Sequence, residues 1–270
     1  MARQTWQNFE EMRKAAEEGD PQAQSYLGVC YQTGQGVQQD YLEAVKWYRK
    51  AADQNDPVAQ CYLGVCYQSG LGVPQEYGQA AKWYREAAEQ GDPVAQCYLG
   101  VCYLNGAGVP QEYGEAAKWL REAAEQNDPA AQFNLGVLYE TGQGVTQNYA
   151  EAVKWYREAA ERGYPAAQFN LGVFYETGQV VPQNFQLAVK WYQAAAEQEC
   201  APAQCNLGLC YQTGRGVEAN QQEAVKWFIR AARQGDKTAQ HNLGLHYASQ
   251  TDEVPPETAE TAGAAETESP

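Results

Sequence analysis

The dipeptide Ala-Gln occurs at Ala23-Gln24, Ala59-Gln60, Ala95-Gln96, Ala131-Gln132, Ala167-Gln168, Ala203-Gln204 and Ala239-Gln240, always 36 residues apart. A fixed period constrains a fold more than any local pattern does, because every copy must offer matching surfaces to the copies before and after it. Leu-Gly follows in all seven copies, from Leu27-Gly28 to Leu243-Gly244, and a tyrosine stands three residues beyond each glycine, from Tyr31 to Tyr247. A second half carries Ala-x-Lys-Trp in six copies, from Ala44 and Trp47 to Ala224 and Trp227, and closes each time on Ala-Ala.

Both halves read as helices. Asp20 suits an N-cap and Pro21 the first turn, where no amide hydrogen is needed. Ala23, Leu27, Cys30 and Tyr31 form an apolar stripe at helical spacing, and Gly34 and Gly36 tolerate the positive φ that ends such a helix. In the second half, near residues 41–54, Ala44, Trp47, Tyr48, Ala51 and Ala52 share an inner side. Gly28 and Ala44 are small where two helix backbones are expected to approach most closely. One such hairpin cannot bury so wide an apolar face, whereas stacked hairpins can.

The pattern A-x-A-Q-x-x-L-G-x-x-Y-x-x-G-x-G-V followed by A-x-K-W-Y-x-x-A-A resembles the Sel-one-like repeat (SLR) of the tetratricopeptide-like superfamily, over roughly residues 1–250. The resemblance implies an all-α fold, a right-handed α/α superhelical solenoid of about six to seven 36-residue hairpins, with a concave face and a role in holding proteins together. The expected organisation is a half unit at 1–20, units at 21–56, 57–92, 93–128, 129–164, 165–200 and 201–236, and a terminal helix at 237–250. One position departs from the pattern: Val180 takes the place of the second loop glycine, so a different turn is expected there.

Invariant letters describe packing, so letters that vary at a fixed place are the better candidates for recognition. Gln22, Tyr26, Val29 and Thr33 form a stripe offset from the packing stripe of the first helix, and the resemblance places it on the concave side. Its second position is Tyr26, Tyr62 and Tyr98 in three copies, then Asn134, Asn170, Asn206 and Asn242 in four. Tyrosine supplies rigid contact area with a polar tip, and asparagine can pair with the backbone of an extended peptide. Phe133 and Phe169 are candidates for adjoining apolar pockets. The alternative is that these side chains bond only to the next helix.

The formal net charge of −15 disfavours nucleic acid. Six of the acids and no base lie in residues 251–270, a stretch without aromatics that is expected to be disordered. No apolar run is long enough to span a membrane, and the absence of a secretory signal favours the cytoplasm. Cysteines five apart on one helix, such as Cys61 and Cys66, diverge by about 140° and cannot bond to each other. The resemblance implies that secreted relatives bridge cysteines with seven residues between them, at places that hold residues such as Ala52 and Gln60 here, so reduced, packed thiols are expected. Cys200 stands at a helix N-terminus, where the dipole is expected to lower its pKa, and it supports an alternative reading as a thiol-reactive sensor or enzyme. His241 and His246 match Cys205 and Cys210 in register, but point too far apart to make a metal site with them. No catalytic motif, cofactor or metal site is expected. The expected partner is a protein or peptide, with weak self-association of incomplete terminal units as a further alternative.

Overall fold

The computed structural model describes residue 6 and residues 8–252, with side chains through His246. Fourteen helices occur among the described residues, and no strand does. The chain divides into two compact bodies, Met1–Gln183 and Asn184–Pro270. In the first, α1 (Phe9–Glu17) precedes the hairpins α2–α3 (Pro21–Thr33, Tyr41–Ala52), α4–α5 (Pro57–Ser69, Tyr77–Glu89), α6–α7 (Pro93–Asn105, Tyr113–Glu125) and α8–α9 (Pro129–Thr141, Tyr149–Glu161), and α10 (Pro165–Thr177) follows. The second holds α11 (Phe185–Ala196), the hairpin α12–α13 (Ala201–Thr213, Gln221–Arg233) and α14 (Lys237–Asp252), which runs two residues past its expected end. The rest of the acidic stretch, 253–270, lies outside the described residues.

The caps act as the sequence indicates. Asp20, Asp56, Asp92 and Asp128 each accept the amide of the third residue onward, with proline at the first helical position. Each of these helices ends on a left-handed glycine, such as Gly34 at φ 77°.

The core differs from the expectation in one respect. The fully buried aromatic is Tyr48 and its counterparts Tyr84, Tyr156, Tyr192 and Phe228, whereas the tryptophans are half-buried. Trp83 and Trp119 each pack onto the cluster of the preceding repeat, so they join repeats and do not fill them. The invariant helix glycine has a correspondingly different purpose. A Cβ on Gly28 would lie 2.5 Å from the Tyr48 ring, and one on Gly64 2.6 Å from Tyr84, so glycine opens a socket for a ring rather than a path for a backbone. The Tyr48 and Tyr84 hydroxyls each donate to a glutamine, Gln32 and Gln68, at 2.6 Å. Where the core residue is Leu120, the matching partner is Leu104, so polar and apolar pairs change together.

The Ala-Gln signature is a joint between repeats. Ala59, Ala95 and Ala131 are fully buried, and the neighbouring glutamine reaches back to a carbonyl at the end of the previous helix. Gln24 Nε2 donates to the Ala16 oxygen at 3.1 Å, Gln96 to Ala88 at 3.2 Å and Gln132 to Ala124 at 3.1 Å, and in the second body Gln204 donates to Ala196 at 3.1 Å. Each of these carbonyls also accepts the backbone amide three residues on, and the buried glutamine fills its second acceptor site from across the joint. A second rung lies within each repeat and ties its two helices: Gln54 donates to Gln24 at 2.8 Å, Gln90 to Gln60 at 2.7 Å and Gln126 to Gln96 at 2.8 Å. In the repeat 129–164 Arg162 replaces the donor and turns to Glu158 and to Asn127 of the repeat before, and the Gln132 Oε1 is buried without a partner among the described residues.

The second loop glycine abuts the preceding repeat. A Cβ on Gly72 would lie 2.2 Å from the Tyr41 carbonyl oxygen, and one on Gly108 2.0 Å from that of Tyr77. Val180 keeps the left-handed φ of these glycines, at 69°, so the turn is conserved at the cost of strain in a β-branched residue.

Candidate functional site

The first helices of successive repeats touch in the first body, α2 with α4 and α6 with α8. Their alanine, leucine and glycine sides turn inward, which leaves the stripe of Gln22 and Tyr26 on the opposite side. Three copies of this stripe are apolar and open. Tyr26 is 60% exposed, Val58 44%, Val94 45% and Tyr98 36%, and Tyr62 is half-buried. Val58 and Tyr62 are four residues apart on one helix, as are Val94 and Tyr98, so each pair forms one patch.

The tyrosines are held from beneath. Tyr62 stacks on the buried Tyr48 with ring centroids 5.3 Å apart and planes 9° from parallel, and Tyr98 stacks on Tyr84 at 4.9 Å and 14°. Tyr26 meets Trp6 edge-on at 5.5 Å. Rings fixed in this way lose little further rotamer freedom on binding.

The asparagines are engaged with the scaffold to different degrees. All four are half-buried. Asn134 Nδ2 donates to the Ala130 carbonyl of its own helix at 2.9 Å, which leaves its oxygen as the free acceptor. The Tyr156 hydroxyl donates to Glu140 at 2.5 Å and also bonds to Asn170, at the place where Tyr62 and Tyr98 stack on Tyr48 and Tyr84. At Asn170 the change from Tyr to Asn thus exchanges a ring lying on the core aromatic for an amide bonded to its hydroxyl. In the second body, the buried Asn242 Nδ2 has no partner; in register, the residue beneath it is Phe228, which lacks a hydroxyl. Phe133 lies 5.8 Å from Tyr156 and 5.2 Å from Tyr164, between α8, α9 and α10, so it fills a joint rather than lining an open pocket. Phe169 is half-buried in α10.

The place of Phe133 is a joint elsewhere too. Ser25 Oγ donates to the next repeat's capping Asp56 at 2.6 Å, the Cys97 thiol bonds to Asp128, and in the second body Cys205 bonds to Asp236. The Phe133–Tyr164 pair is the apolar version of this link. The column of capping aspartates is therefore close to the stripe. Burial raises the Asp92 carboxyl, and the negative charges of Asp128 and Asp56 raise it further, although the Ala95 and Val94 amides oppose this. Burial also raises the Tyr98 phenol, with Asp128 among the charges that add to it. Helices α2, α4, α6 and α8 contain no Lys or Arg. The cations lie on the second helices: Lys46, Lys154 and Lys226 meet the Glu three residues earlier on exposed surface, and Lys82, Lys118, Lys154 and Lys190 lie over the adjacent tryptophan rings. Sequence reasoning passed over Val58 and Val94, although their register with Gln22 marks the position.

All eight cysteines are free thiols. Burial pushes Cys61 and Cys205 up to about 12, Cys66 and Cys102 up to about 11, and Cys97 up as well. Cys200 also moves up, contrary to the expected effect of the helix dipole: burial outweighs the Ala203 amide that favours the thiolate. At neutral pH it is a thiol and a poor nucleophile. These shifts set a sign for stability. An acid whose folded pKa is raised stabilises the fold below its unfolded pKa and loses that contribution as pH rises toward its folded pKa. The urea midpoint is therefore expected to be level up to about pH 8.5 and to fall through pH 10–11, with thiol-trapping rates rising in parallel.

The Sel1 repeat profile matches residues 21–56, 57–92, 93–128, 129–164, 165–200 and 201–236. Among solved structures, c5321, a protective antigen present in uropathogenic Escherichia coli strains and displaying an SLR fold, is 37% identical, with a TM-score of 0.80 over 93% of this chain. The alignment covers 53% of c5321, so this chain spans about half its length. The Sel1 repeat protein from Oxalobacter formigenes is 34% identical, with a TM-score of 0.61 over 88% of this chain and 79% of its own. The immunity protein PA5088 from Pseudomonas aeruginosa, 17% identical with a TM-score of 0.52 over 88% of this chain and 85% of its own, shares the fold. Comparison with curated proteins returns no match.

Proposed function

The chain belongs to the Sel1 repeat family, whose members are generally scaffolds for protein–protein interaction and typically not enzymes, and from that premise we propose that it holds an extended segment of another protein along its first-helix stripe. The observation that carries this reading is the exposed apolar row of Tyr26, Val58, Val94 and Tyr98, with Tyr98 held in place by stacking on Tyr84. A rigid aromatic row on a repeat frame offers contact area at low entropic cost, and neighbouring repeats extend it without new structure. In the first body Asn134 and Asn170 serve as contacts to a ligand's main chain, Asn134 as an acceptor since its donor is used internally; Asn206 and Asn242 hold the same register in the second body. Phe133 supports the stripe by packing between helices, and the half-buried Phe169 holds the same register one repeat on.

Selection from a random peptide library against the full chain tests the reading. The double change Tyr26→Ser and Tyr98→Ser is expected to weaken the selected peptides about tenfold or more, with a melting temperature within about 3 °C of the parent, because both rings are exposed. Unchanged affinity would place binding elsewhere. A parallel double change, Asn134→Ala and Asn170→Ala, separates contact from support: lost affinity at constant melting temperature assigns them to the ligand, and lost stability assigns them to the scaffold.

A further inference from the structure

We infer that the segment bound by this stripe is cationic, with an apolar side chain at every third residue and Lys or Arg between. This deepens the proposed function and rests on it. Three observations support it. The first is the charge of the wall: α2, α4, α6 and α8 carry no Lys or Arg, whereas their N-termini are bordered by Asp20, Asp56, Asp92 and Asp128. These aspartates lie close enough to bond to the row next to the stripe, Asp56 to Ser25 and Asp128 to Cys97, and no cation of the first helices offsets them. An approaching cation therefore meets carboxylates at the edge of the apolar row, and an approaching anion meets repulsion.

The second is spacing. Packed helices lie about 8–10 Å apart, and an extended or polyproline II chain advances about 3.1–3.3 Å per residue, so one repeat corresponds to about three ligand residues. A polyproline II segment turns once in three residues and so presents every third side chain to the same wall. Tyr26, the Val58–Tyr62 pair and the Val94–Tyr98 pair supply three successive apolar seats for them.

The third removes the nearest competitor. The chain's own residues 251–270 carry six acids and no base, so the same carboxylates repel them.

Fluorescence anisotropy of the full chain with three labelled peptides of about twelve residues tests the inference: repeats of Lys-Pro-Leu, of Glu-Pro-Leu and of Lys-Pro-Ser. The Lys-Pro-Leu peptide is expected to bind at least about tenfold more tightly than either of the others, to weaken as salt rises, and to lose about tenfold or more with Tyr26→Ser and Tyr98→Ser. The set Asp56→Asn, Asp92→Asn and Asp128→Asn keeps a capping oxygen at each helix start and is expected to cut its affinity about threefold or more and flatten the salt dependence. Equal binding of the Lys and Glu peptides, both lost with the tyrosines, overturns the cationic assignment and leaves the scaffold reading standing. Equal binding of Lys-Pro-Leu to the tyrosine variant and the parent reveals nonspecific charge attraction and also overturns it. If none of the three peptides binds while library-selected sequences still depend on Tyr26 and Tyr98, the inference fails alone; if no library peptide binds the stripe, the proposed function fails with it.

Discussion

Tyr84→Ala is expected to destabilise the protein by about 3–5 kcal/mol, the range for truncation of a fully buried aromatic. The ring fills the socket over Gly64, its hydroxyl donates to Gln68 at 2.6 Å, and its face supports Tyr98 at 4.9 Å. Truncation leaves a cavity that the surrounding alanines, Ala80, Ala81, Ala87 and Ala88, are too short to fill. Urea unfolding with a shared slope measures the loss. Tyr84→Leu serves as the control, because Leu120 occupies the same place two helices on; it is expected to cost less, about 1–2 kcal/mol. A cost below about 1 kcal/mol for alanine would mean that the ring is not the core of its repeat. Tyr98 is expected to lose its fixed orientation in the same variant, so peptide affinity should fall even where the fold survives.

The second large effect is at Gly108. Gly108→Ala is expected to cost about 3–4 kcal/mol, from the left-handed φ of 75° together with a Cβ 2.0 Å from the Tyr77 carbonyl oxygen. Gly91 separates the two causes. It has a similar φ of 88° but nothing within 4 Å of its Cβ, so Gly91→Ala is expected to cost only about 1 kcal/mol. The converse change, Val180→Gly, relieves a valine held at φ 69° and is expected to raise stability by about 1 kcal/mol. Thermal melts of the three variants check the order; equal losses at Gly108 and Gly91 would show that the loop does not press on the preceding helix.

The fold was legible because its determinants recur. Asp-Pro starts, Gly ends and Ala-Ala closures each appeared several times in the sequence at one spacing, and every one has a place in the hairpins. What periodicity could not supply is direction. Trp47 and Tyr48 are adjacent letters on one inner face, and only packing shows that the tyrosine is enclosed while the tryptophan is left at a seam between repeats. The glycine of Leu-Gly was readable as a close approach, but whether of a backbone or a ring depends on the rotamer of a residue twenty positions away. Within the candidate stripe, the Tyr and Asn positions could be listed, but not that Asn170 is bonded to Tyr156 or that Phe133 is wedged beside Tyr164, because those contacts come from neighbouring repeats. Cys200 shows the same limit in electrostatics: the dipole could be read from its position, but the burial that outweighs it could not.

The paired glutamines clasp the two helices of a repeat at their base, and in the repeat 129–164 the clasp is missing. Where Arg162 turns to Asn127 of the repeat before, Gln132 keeps a buried oxygen with no partner among the described residues, so α8 and α9 lack the side-chain bond that Gln90 makes to Gln60 and Gln126 makes to Gln96. Under tension the base of that hairpin would open before those of the two hairpins ahead of it, while its arginine keeps it moored to its neighbour.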